Sequence, residues 1–89
     1  MIKQKPKYRN HIAYYRKLCL LTLRELANQT EAFGDRKRID HQTLSRVELG
    51  YQRPTLNHKL AIYKVIHSRL VELGLTKEAD ALAPKRIFN

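Results

Sequence analysis

The chain has 89 residues and a mass of 10.5 kDa, from which one domain with one small core is expected. Eighteen Lys and Arg against eight Asp and Glu give a formal charge of +10, so the expected partner is a polyanion, either nucleic acid or an acidic membrane surface. A single Cys19 rules out an intrachain disulfide and a thiolate zinc cage, and the most apolar run, residues 18–23, is too short for a membrane span and precedes no cleavage pattern. A cytoplasmic protein that is not exported is therefore expected.

Residues 1–9 alternate lysines around Pro6 with no apolar period, so they are expected to form a mobile basic arm. Such an arm either solubilises the chain or wraps a duplex. No acid precedes Glu25, whereas Lys3, Lys5, Lys7, Arg9, Arg16, Lys17 and Arg24 all do. From Asn10, the spacing of Ile12, Tyr15 and Cys19, with Leu18 and Leu21 beside it, predicts a first helix. Thr22-Leu-Arg-Glu25 has the form of a capping box and predicts the start of a second helix. Its inward stripe is expected to be Leu23, Leu26, Ala27, Thr30 and Phe33, with a stop at Gly34-Asp35.

A third helix is predicted from Asp40, its cap, to Gly50, with Ile39 and Leu44 at the spacing of a hydrophobic staple. Pro54-Thr55 then opens a fourth, on which Leu56, Leu60, Tyr63, Ile66, Leu70 and Leu73 keep a helical period until Gly74. Thr76 is expected to cap a short fifth helix through Ala83, and Pro84 to lead into a tail, residues 85–89. No strand, repeat or low-complexity segment is evident, so the fold class is all-α, a compact bundle of about five helices.

The third helix carries the chemistry. At 100° per residue, Thr43, Leu44, Val47 and Glu48 fall on one arc and His41, Gln42, Ser45, Arg46 and Leu49 on the other. The second arc presents side chains that can hydrogen-bond base edges in a major groove. Residues 10–66 resemble the phage-repressor and Cro type of helix-turn-helix domain, the Xre family. Leu21-Thr22-Leu-Arg-Glu25-Leu26-Ala27 looks like the start of its second helix. Thr43-Leu44-Ser45-Arg46-Val47-Glu48, followed by Gly50, Arg53 and Pro54, looks like its recognition helix and exit turn. The resemblance implies a lambda-repressor-like fold, an ion pair between Arg16 and Glu48, and a bacterial or phage-encoded transcriptional regulator. The chain departs from the pattern in a longer turn between Ala27 and His41, and in Leu23 and Leu49 where polar residues are common.

On this reading His41, Gln42, Ser45 and Arg46 contact bases, Gln42 suiting adenine and Arg46 guanine. Expected phosphate contacts are Lys5, Lys7 and Arg9 from the arm, Arg36, Lys37 and Arg38 from the long turn, and Thr43, Tyr51 and Arg53. His41 and the turn cations have a plain alternative as solvated residues. One helix reads too few base pairs for an address in a genome, so a homodimer on an inverted repeat is expected, with Leu70, Leu73, Leu82, Ile87 and Phe88 at its interface. The competing reading is that the C-terminal segment folds back and completes its own core. His11, His41, His58 and His67 are scattered and no catalytic or metal-binding motif is present, so neither an enzyme nor a cofactor is expected. The rival function is an antitoxin-type protein that binds a partner protein and represses its own operon.

Overall fold

The structure, a computed structural model, describes residues 6–32 and 38–88. Six helices follow one another in these residues: α1 (Ile12–Leu18), α2 (Leu23–Gln29), α3 (His41–Leu49), α4 (Leu56–Glu72), α5 (Thr76–Ala81) and α6 (Pro84–Phe88). A single 3-10 turn, Thr30–Ala32, extends α2. The fold is all-α, as expected, and among the described residues no helix is long and apolar enough to cross a membrane.

Local chemistry starts and stops these helices. In α2 the Thr22 hydroxyl accepts from the Glu25 amide at 3.1 Å while the Glu25 carboxylate accepts from the Thr22 amide at 3.0 Å. The carboxylate of Asp40 accepts from the Gln42 amide at 3.1 Å and opens α3. Thr55 caps α4 in the same way, with His58 as the reciprocal acceptor. Gly50 ends α3 in the left-handed region, φ 87°, where the Tyr51 amide donates back to the Arg46 carbonyl. Leu20 ends α1 by the same pattern of bonds at φ 59°, a position where glycine is the usual occupant.

One core joins Ile12 from α1, Cys19 just after it, Leu26 and Ala27 from α2, Leu44 and Val47 from α3 and Ile62, Val65, Ile66 and Leu70 from α4. Thr30 is fully buried within it, donating to the Ala27 carbonyl at 2.6 Å and accepting from the Ile39 amide at 2.9 Å. That hydroxyl ties the chain back to the core on the far side of the long turn, and Ile39 is buried there. Phe33 and the expected stop at Gly34-Asp35 lie outside the described residues.

Several expectations need correction. The inward stripe of α4 is Ala61, Ile62, Val65, Ile66 and Leu70, whereas Leu56, Leu60 and Leu73 are exposed and Tyr63 is half-buried. Both arcs of this helix are apolar, and the neighbours it packs against select between them. Thr76 is the first residue of α5 and does not cap it; Leu75 holds the cap position without a side-chain bond. The expected C-terminal tail is helical through Phe88, because Pro84 suits the first position of a helix and Ile87 buries itself against α1 and α4.

Candidate nucleic-acid interface

α3 divides along its length. Leu44 and Val47 are 0% and 1% exposed, while Gln42 and Arg46 are exposed on the opposite face. His41 and Ser45 are half-buried beside them, and so is Thr43, which sits on the packing arc with Leu44. Among the described residues, neither Gln42 nor Arg46 has a side-chain hydrogen bond or ion pair, so their polar groups face solvent. Leu49 is exposed on the same face.

The angle of α3 is held by Arg16 and Glu48. The Arg16 Nε donates to Glu48 Oε2 at 2.8 Å and Nη2 to Oε1 at 3.1 Å, while Nη1 donates to the Leu21 carbonyl at 3.0 Å. The side chains are only 16% and 10% exposed. The hydrogen bond to Glu48 raises the Arg16 pKa above its ordinary value, against an opposing effect of burial. This two-pronged contact ties α1, the turn after it and α3 into one unit.

Cations gather at both ends of α3. At its start, Arg24, Ala27, Asn28, Arg38, His41 and the capping Asp40 line a cleft of about 150 Å³ between α2 and α3. Arg38 is fixed there by donating from Nη1 to Asn28 Oδ1 at 3.1 Å. Sequence reasoning singled out Arg38 but missed Arg24 and Asn28. The helical period places these two on the outer side of α2, a signal available in the sequence. Lys5, Arg36 and Lys37 lie outside the described residues.

Beyond the end of α3, Lys7, Arg9, Arg53 and Lys59 surround a cleft of about 280 Å³ with Tyr8, Asn10 and Phe88. Residues 6–9, the described part of the expected arm, lie as a strap over the end of α3. The amides of Lys7 and Tyr8 both donate to the Gly50 carbonyl at 3.0 Å, and Asn10 Nδ2 donates to the Val47 carbonyl at 2.7 Å. Gly50 permits this approach, because a Cβ there would stand 3.0 Å from the Cβ of Pro6. The strap brings Lys7 and Arg9 to Arg53, a meeting that no spacing in the sequence reveals. Tyr51 is exposed nearby without lining the cleft, and Lys59 was not foreseen.

The expected dimer interface is largely used up inside one chain. Leu70 and Ile87 are completely buried and Leu82 is 6% exposed, so these three are core residues. Phe88 is half-buried beneath the ammonium of Lys59, 6.0 Å from its ring centre, and Leu73 alone of the five is exposed. The fold-back of the C-terminal segment, the competing reading, describes them. α1 needs this covering, and the His11 amide donates to the Ile87 carbonyl at 2.6 Å.

The remaining titratable chemistry is structural. Burial pushes the Cys19 thiol up to about 11, against a small opposing effect of Arg69, so it is protonated at neutral pH. Among the described residues, no group of three His, Cys, Asp or Glu is arranged to hold a metal ion. In comparison with known proteins, the chain matches no family model, no curated protein and no solved structure.

Proposed function

We propose that this protein is a sequence-specific double-stranded DNA-binding regulator that lays α3 into the major groove and represses transcription by occupying a promoter. One observation carries the reading. Leu44 and Val47 anchor α3 in the core while Gln42 and Arg46 stand exposed and unengaged on its other face, in a chain of charge +10. Arg46 is suited to guanine O6 and N7 and Gln42 to adenine N6 and N7, each bidentate contact giving about 1–3 kcal/mol of discrimination. His41 and Ser45 flank them. Arg24 and Arg38 at one end of the helix and Lys7, Arg9 and Arg53 at the other supply phosphate contacts that fix its register.

A single α3 spans few base pairs, so two copies on an inverted repeat form part of the proposal, without Leu70, Leu82 or Ile87 at their interface. Selection of bound duplexes from a random pool tests the whole reading. An enriched motif containing an inverted repeat is the expected result. Recovery of unrelated sequences in proportion to their abundance would reduce the protein to a non-specific polyanion binder.

A further inference from the structure

We propose that the outward face of α4 is a docking surface for an acidic amphipathic helix of a partner protein. Opposite its buried arc, this helix presents Leu56, Leu60, Tyr63, His67 and Val71, the spacing that aligns side chains in one row. The row runs about 22 Å at 1.5 Å per residue. Leu56, Leu60 and Val71 are 71%, 39% and 49% exposed, and the rings of Tyr63 and His67 lie against each other with centroids 5.8 Å apart. Leu56, Leu60 and Val71 leave large apolar side chains unpacked along one side of the longest helix. The row is one side chain wide, which fits the ridge of another helix better than a flat lipid surface.

Charge selects the occupant. From Leu49 to Val71 the chain contains no Asp or Glu, and the exposed Lys64 borders the row, while Lys59 is turned to the Phe88 ring. Glu72, just beyond it, is engaged by Arg69 at 3.2 Å. A second copy laid on this face would oppose lysine to lysine, whereas a helix carrying leucines flanked by glutamates meets apolar surface with apolar surface and cation with anion. This inference does not depend on DNA binding by α3.

The test uses the full chain and two labelled synthetic helical peptides with the same leucine row, one flanked by glutamates and the other by lysines, followed by fluorescence anisotropy. The glutamate peptide is expected to bind and the lysine peptide to fail. The double variant L56E and V71E should weaken the glutamate peptide at least tenfold, since both side chains contribute the exposed contact. The single variant K64E should weaken it about fivefold. Both changes fall on exposed positions, and thermal melting checks that the fold is kept. Three results would overturn the proposal: equal binding or no binding of the two peptides, a dimer in sedimentation that the double variant dissociates, or flotation with anionic vesicles that the double variant abolishes.

Discussion

Leu20 occupies a left-handed backbone conformation, φ 59°, with its side chain 73% exposed, so it carries a conformational cost that its packing does little to offset. The Schellman-type bonds that end α1 need that conformation whatever the side chain. Leu20→Gly should therefore raise stability by about 0.5–1 kcal/mol, because relief of the strain exceeds the entropy that glycine adds to the unfolded chain. A urea midpoint that fell would show that the leucine contributes more packing than its exposure implies. Arg46 has the opposite character, an exposed side chain with no hydrogen bond or ion pair among the described residues. Arg46→Ala should leave thermal stability within about 0.5 kcal/mol, as surface substitutions do. It should weaken binding to a selected DNA site by about 1–3 kcal/mol and random DNA much less. Equal losses in the two anisotropy titrations would remove Arg46 from sequence reading. The facing of Arg46 was legible in the sequence because Leu44 and Val47 share one arc of α3, and the strain at Leu20 was not, since nothing in a leucine announces positive φ.

Between elements, the Arg16–Glu48 contact sets how α3 sits on α1, and both partners are mostly covered. Removing either leaves a desolvated charge, so Arg16→Ala or Glu48→Ala should each cost about 2–4 kcal/mol. The double variant should cost clearly less than the sum, and a double-mutant cycle by urea unfolding measures the difference. Strict additivity would mean that the two charges act independently. At the start of α4, His58 takes the place that Glu or Gln fills in a capping box, with Nδ1 accepting from the Thr55 amide at 3.4 Å. Burial lowers its pKa from the usual 6.5, and the bond it accepts requires an unprotonated nitrogen. The unfolded chain therefore binds the proton more readily. The contribution is fully present above about 6.5 and is lost as pH falls through the lowered folded value. Stability should drop from pH 7.5 to 5 in the native sequence, and this part of the drop should vanish in His58→Gln, which keeps an acceptor. Identical pH profiles for the two proteins would exclude His58 as the cause.

For the molecule as a whole, four of the eight acids hold structural posts. Glu25 and Asp40 cap helices, Glu48 is paired with Arg16 and Glu72 with Arg69. Among the described residues, none of the cations at the two ends of α3 forms an ion pair. If about six phosphates are neutralised on binding, log affinity should fall against log salt with a slope of about −5. A slope near zero would argue against a polyanion as the partner. Helix starts at Thr22, Asp40 and Thr55, the stop at Gly50 and the two arcs of α3 were all readable from the chain, because capping and periodicity join residues a few positions apart. Folding alone settled which arc of α4 is buried, why Leu70, Leu82 and Ile87 belong to the core, and how the strap over Gly50 gathers Lys7, Arg9 and Arg53. Each of those outcomes depends on contacts between segments distant in sequence, whose energies arise only once the helices have met.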